Sequence, residues 1–226
     1  MLISEIVDTK SASAKTQRST RTIADVFIIE SLSLIDESKI RHEGKVVADI
    51  LRMCGKNPIY FYIRTRAELE ALAEEFDGSR YRYLHLSCHG SDTDIETTLD
   101  RISYSDFSKI FSGRLKRKRL FASACSVGNQ LFSEIVGAEN KEMNSVAGPV
   151  GDVRFNHAVA LWSAFYVKIF SINAKSMNSK QVSEILGTLA GLFEVPIHLS
   201  TYNVKQEAWK HETIKAKPSL KPSSSA

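Results

Sequence analysis

Four short apolar runs, separated by helical periods, restrict what this chain can fold into more than any other feature. Val26-Phe27-Ile28-Ile29 is apolar at every position. Neither face of an extended segment there can be turned to water, which is the pattern of a strand covered on both sides in a parallel sheet. Ile59-Tyr60-Phe61-Tyr62-Ile63, Tyr83-Leu84-His85-Leu86-Ser87-Cys88 and Leu120-Phe121-Ala122-Ser123-Ala124 repeat the theme. Between the first two runs, residues 37–54 carry Val46, Val47, Ile50, Leu51 and Cys54 at helical spacing and close at Gly55. Between the second and third, Thr65 with Glu68 three positions on predicts an N-cap ahead of the stripe Leu69, Leu72, Ala73 and Phe76. A β-α-β-α-β order is therefore complete by residue 90, and right-handed crossovers make its strands parallel.

The remaining pattern continues the alternation. It predicts a short helix at 104–111, another around Leu131–Val136, a fifth strand at Ser145–Gly148, helices at 155–170 and 179–193, and a last strand at Ile197–Ser200. The expected class is α/β, three layers with a mostly parallel central sheet and helices on both faces. A chain of 226 residues, 43% hydrophobic, can enclose one such core. Residues 1–21, rich in Ser, Thr, Lys and Arg, read as an N-terminal arm, 22–213 as the domain, and 214–226 as a disordered tail.

Several function classes are disfavoured. No run reaches the 18 or so apolar residues of a membrane span, and Met1-Leu2-Ile3-Ser4-Glu5 does not open a secretory signal, so a cytoplasmic location is expected. Cys54, Cys88 and Cys125 contain no C-x-x-C pair, which argues against a disulfide framework and a structural zinc site. The net charge of +4 is concentrated in Lys116-Arg117-Lys118-Arg119 and in Lys205, Lys210, Lys215, Lys217 and Lys221. These read as a solvated loop and tail; without interleaved aromatics they do not predict direct nucleic-acid binding.

One pairing can do chemistry. His89 and Cys125 both follow strands, and in open parallel sheets reactive groups gather beyond the carboxyl ends of strands. A cysteine thiol, with a free pKa of about 8.5, needs a base to act at neutral pH, and histidine suits that role. Gly90 leaves room for a bound carbonyl. The amide of Gly90 and the backbone N–H groups of the strand-to-helix turn at Cys125 can face a developing oxyanion. Cys54 and Cys88 read as core. His85 lies about 13 Å from His89 along its strand and reads as packed against a helix. His42, His157, His198 and His211 show no matching partner.

The segments Tyr83-Leu84-His85-Leu86-Ser87-Cys88-His89-Gly90 and Phe121-Ala122-Ser123-Ala124-Cys125-Ser126-Val127-Gly128 resemble the two signature strands of the caspase-like cysteine peptidases, in particular their bacterial caspase-like and separase-like branch. The resemblance spans about residues 23–170. It implies a three-layer caspase-like sandwich and a cysteine endopeptidase with His89 as catalytic histidine, Cys125 as nucleophile and the Gly90 and Cys125 amides as oxyanion donors. It implies no organic cofactor or metal, although some relatives are calcium-activated, and a protein or peptide substrate. It also implies a regulatory protein partner, expected as a separate polypeptide from the 226-residue length, and a role in bacterial stress or antiviral defence. Where relatives that cleave after basic residues carry an acid two positions before the nucleophile, this chain has Ser123; Asp92, Asp94 and Asp152 are alternative pocket residues. A catalytically silent caspase-like scaffold or adaptor is the alternative function.

Overall fold

β1 (Ile23–Glu30) begins the fold as its composition requires: Val26, Phe27, Ile28 and Ile29 are all fully buried. The structure, a computed structural model, describes residues 22–215. After β1 come α1 (Leu34–Ser38), α2 (Glu43–Met53), β2 (Ile59–Tyr62), α3 (Arg66–Ser79) and β3 (Tyr81–Ser87). Next are β4 (His89–Gly90), β5 (Asp94–Glu96), β6 (Arg101–Ser103), α4 (Tyr104–Ile110), β7 (Arg119–Ser123) and α5 (Gln130–Glu139). β8 (Ser145–Pro149), α6 (Phe155–Ile172), α7 (Ser179–Phe193), β9 (Ile197–Asn203) and β10 (Ala208–Ile214) complete the described chain.

The main sheet has the order β10-β9-β8-β7-β3-β1-β2. Its five strands from β2 to β8 are parallel, while β9 runs antiparallel to both β8 and β10. Alternation along each strand divides the core into two layers. Val26, Ile28, Tyr83, Phe121 and Ala147 face α2, α6 and α7. Phe27, Ile29, Leu84, Leu86, Leu120 and Val146 face α3, α4 and α5. This is the expected α/β sandwich with a mostly parallel sheet. The capping box at Thr65 and Glu68 is present, with the Thr65 side chain accepting from Glu68 N–H.

Three parts of the chain differ from the sequence expectation. The acidic stretch after His89 forms a small antiparallel sheet, β4-β5-β6, whose strands of two or three residues are too short to show a period. The last strand extends to Asn203 and turns back as β10, which runs to Ile214 opposite Ile197; the arm at 1–21 and all but the first two residues of the expected tail lie outside the described residues. Cys54, expected in the core, is the exposed C-cap of α2.

The basic run is not a uniform solvated loop either. Lys116 and Arg117 pair with Glu142 at 3.1 and 3.4 Å. Lys118 lies 4.0 Å over the Phe76 ring. Arg119 is buried and donates to Ser145, the Met177 carbonyl and Ser179 at 2.8, 3.0 and 3.0 Å. The run starts β7 and fastens it to β8 and α7, so half of its charge is unavailable to an external polyanion.

Phe121 stands at the centre of the α6 layer, with ring centroids 5.8, 5.0 and 5.8 Å from Trp162, Phe165 and Tyr166. Truncating it leaves a cavity among rings that cannot collapse together. Phe121→Ala is therefore expected to lower the unfolding free energy by about 3–5 kcal/mol, measured by urea denaturation.

Candidate active site

β3 and β7 are parallel neighbours, and their last register pair is Ser87 opposite Ser123. With a side-chain period of two, Ser87 and Ser123 point to the α2 side, and the next residues of that parity are His89 and Cys125. Both half-buried side chains line one pocket of about 110 Å³ at the strand ends. Leu32, Phe155, Leu161, Trp162, Val195 and Ile197 supply apolar wall, and Glu43, Ser87 and Ser123 supply polar groups.

The imidazole is anchored from an element that the sequence reading left out. His89 Nε2 lies 2.8 Å from Asp36 Oδ2, and the ring packs edge-on against Phe155 with centroids 5.8 Å apart. A carboxylate can only accept, so Nε2 carries a proton, and in the neutral ring Nδ1 is then the nitrogen with the free lone pair. Asp36 is itself fixed: Ser33 Oγ donates to Oδ2 at 2.7 Å and Arg41 Nη1 to Oδ1 at 2.9 Å. Burial pushes the Asp36 carboxyl up, but the hydrogen bonds from Ser33, His89 and Arg41 together outweigh it and hold the group below its ordinary range.

Cys125 sits in a tight turn between β7 and α5. Ser126 adopts a left-handed backbone, φ +59°, a cost for a side chain with a Cβ. Ser126 N–H donates to the Gly151 carbonyl at 3.2 Å, and Asn129 Nδ2 donates to the Ser126 carbonyl at 2.8 Å. Asn129 also caps α5, its side-chain oxygen accepting from Phe132 N–H. Gly90 packs against this turn. A Cβ there would lie 2.5 Å from Val127 Cγ2 and 2.9 Å from the Cys125 carbonyl oxygen, so the glycine is required by its contact with the turn as well as by any ligand. Gly128 is tighter still, since its Cβ would stand 2.0 Å from the Gly148 carbonyl oxygen.

The thiol accepts from Val153 N–H at 3.4 Å, and among the described residues no hydrogen bond joins it to His89. The Cys125 amide has no hydrogen-bond partner among the described residues. Ser91 N–H donates to the Asp94 carbonyl, which makes Gly90 and Ile95 a non-hydrogen-bonded pair and turns the Gly90 N–H away from β5. Both proposed oxyanion amides are thus left without a ladder partner.

Of the other sequence candidates, Ser123 lines the pocket, whereas Asp92, Asp94 and Asp152 are not among its lining residues. Asp92 and Asp152 are exposed, and Asp94 accepts from Thr93 Oγ1 at 2.6 Å. The acid that does reach the pocket is Glu43, the first residue of α2. Cys88 packs against the α3-side layer, and burial pushes its thiol well above the ordinary range. His85 is buried against α6, with Nδ1 3.1 Å from the Tyr166 hydroxyl. His198 and His211, unpaired in the sequence pattern, are not solitary: each has a ring nitrogen on Ser200 Oγ, at 3.0 and 2.8 Å. Among the described residues no three His, Cys, Asp or Glu side chains gather as a metal ion would require. No described helix is long and apolar enough to cross a membrane.

The sequence matches no family model and no curated protein. The structure matches a secreted C11 cysteine protease from Bacteroides thetaiotaomicron, iotapain, with a TM-score of 0.54 and 10% identity, over 80% of this chain and 66% of that one. It also matches caspase-1 from Spodoptera frugiperda with a TM-score of 0.51 and 14% identity, over 76% and 77% of the two chains. The fold is caspase-like. At such identities the likeness is one of architecture, and the chain spans just under two thirds of the bacterial protease.

Within this caspase-like fold, Asp36, like Glu43, is a residue that sequence reasoning missed. Its signal was the Ser33-x-x-Asp36 spacing of a helix N-cap, which marks a local turn and says nothing of a histidine 53 positions away. Because folding lowers the Asp36 pKa, its stabilising contribution is complete above the ordinary carboxyl value of 3.8 and is lost as pH falls below it. The stability gap between wild type and Asp36→Asn is therefore expected to shrink as pH falls from 5 through 3.8 and below, measured by chemical denaturation across that range.

Proposed function

We propose that this caspase-like chain is a cysteine endopeptidase acting on a protein substrate, with Cys125 as nucleophile and His89 as its base. One observation carries the reading: a histidine and a cysteine from the ends of neighbouring parallel strands line the same pocket, with the histidine anchored through Nε2 to Asp36.

In this mechanism the Cys125 thiol turns from the Val153 amide toward His89, and Nδ1 takes its proton. The thiolate attacks the scissile carbonyl carbon, and the oxyanion is held by the amides of Gly90 and Cys125. His89 then gives its proton to the leaving amine. Water, deprotonated by the same imidazole, hydrolyses the thioester and frees the acid product. Asp36 acts through His89 as a positioning residue that also stabilises the imidazolium. Relevant distances in unliganded sites commonly tighten only when substrate binds. The likeness to caspase-like systems further motivates a regulatory protein partner and a role in bacterial stress or antiviral defence.

The missing hydrogen bond between His89 and Cys125 is the observation that favours a silent scaffold instead. Alkylation distinguishes the two. An ordinary thiol is about 1% ionised at pH 6.5. Under the enzyme reading, iodoacetamide modifies Cys125 at that pH about tenfold or more faster than Cys54, and His89→Ala removes the difference. Hydrolysis of a peptide library should be abolished by Cys125→Ala. Labelling of Cys125 at the rate of Cys54, together with no hydrolysis, would leave the scaffold.

A further inference from the structure

The edge hairpin β9–β10 carries a run of polar side chains that the candidate chemistry does not use. On the face turned to α5, His198 and Ser200 of β9 stand opposite Thr213 and His211 of β10, their register partners. Ser200 is fully buried and His198 nearly so. Ser200 Oγ meets His198 Nε2 at 3.0 Å and His211 Nδ1 at 2.8 Å, so one hydroxyl joins both rings. The rings stack with centroids 5.8 Å apart. At the ends of the run, His198 Nδ1 lies 3.3 Å from Thr213 Oγ1, and His211 Nε2 lies 3.8 Å from Glu134 Oε1 on α5.

These contacts fit one order of protons. A carboxylate only accepts, so His211 carries its proton on Nε2 and takes the Ser200 hydroxyl proton on Nδ1. Ser200 Oγ then accepts from His198 Nε2–H, and His198 Nδ1 accepts from the Thr213 hydroxyl. That order requires both imidazoles to be neutral. A second proton on His211 lands on Nδ1 and turns the Ser200 hydroxyl hydrogen away from its acceptor, in a place closed to water. Protonating His198 as well sets two stacked cations against each other.

The neighbouring elements offer little compensation. α5 faces the pair with Glu134, whose Oε1 also accepts from Gln130 Nε2 at 2.6 Å. β8 lays Val146 and Gly148 beside Ser200 and His198. Lys210 and Glu212 alternate to the opposite face of β10 and pair with each other at 3.8 Å, and α7, packed on that side, pairs Lys180 with Glu184. Burial pushes the His198 imidazole below its ordinary value, and the charge of His211 adds to the shift. The stabilisation that His198 gives is therefore complete above the ordinary value of 6.5 and is lost as pH falls below it.

We infer that the β9–β10 hairpin is a pH-operated latch, closed while His198 and His211 are neutral and released at its outer strand when both take up protons. β10 is the edge strand, so its release breaks no other ladder. β9 begins with Ile197, a wall residue of the Cys125 pocket, and the latch thereby sets how firmly that wall is held. The inference does not require the pocket to be catalytic.

Amide exchange, histidine ring signals and the Ile197 methyl are followed by NMR on the full chain from about pH 7.5 to about pH 5. After correction for intrinsic rates, protection of the β10 amides is expected to fall at least about tenfold, with a midpoint matching the titration of the His198 and His211 rings, while β1 and β3 stay protected. The Ile197 methyl should shift over the same range. His211→Gln, which leaves no second charge to repel, should keep β10 protected throughout. Unchanged β10 protection in wild type, or a loss whose midpoint differs from that of both rings, would overturn the inference, whether or not the variant folds. Equal loss in wild type and His211→Gln would overturn it as well. An Ile197 methyl that stays still through the transition would remove the link to the pocket wall, and with it the latch as a control of the site.

Discussion

The ends of β3 and β7 are held level by a side chain that belongs to neither strand. Glu43 receives the hydroxyls of Ser87 and Ser123 on one carboxylate oxygen, and those two serines are the final register pair of the two strands. The positions of His89 and Cys125 follow from that pairing, because a slip of one residue would turn either side chain to the opposite face. Hydrogen bonds to a buried carboxylate are among the stronger ones available to a protein, and loss of either hydroxyl would leave the charge poorly compensated. The clamp therefore joins α2 to the sheet at the place where the candidate chemistry sits.

A second carboxylate makes the first possible. Glu30, at the end of β1, accepts Gly44 N–H at 2.7 Å and the Tyr60 hydroxyl at 2.7 Å, which fastens the first turn of α2 to the sheet. Gly44 permits this approach: a Cβ there would lie 3.0 Å from Ile28 Cγ2 and 3.1 Å from Glu30 Cβ. Burial pushes the Glu30 carboxyl up, while the bonds from Tyr60 and Gly44 pull it back. Two acids, one placing the helix and the other using that placement, thus stand beneath the strand ends, close to α2's N-terminal N–H groups.

The layered architecture was legible because its evidence is local. Val26–Ile29 and Leu120–Ala124 declare buried strands by their own composition, and the stripe from Leu69 to Phe76 declares its helix by period. His89 and Cys125 were legible as a pair because strand ends and residue chemistry are both written in short segments. Asp36 and Glu43 were not, since their roles come from side chains meeting across 53 and 80 positions, and each looks locally like an ordinary acid at a helix start. β4 to β6 escaped for a different reason: strands of two or three residues carry no measurable period. β10 escaped because its exposure alternates without a hydrophobic face strong enough to mark it.

The glycines around the Cys125 turn divide the site into two kinds of matter. Gly128 meets the Gly148 carbonyl and Gly148 meets the Ala122 carbonyl, so main chain there lies directly on main chain with no side chain between, while Gly90 meets both the Val127 side chain and the Cys125 carbonyl. The pocket walls, by contrast, are side chains such as Leu32, Val195 and Ile197. A wall residue can be exchanged for one of another size and its neighbours can repack, whereas a backbone contact has nothing to trim. For a lineage built on this scaffold, what the pocket accepts is open to gradual revision, while the turn that presents the sulfur is inherited whole or lost.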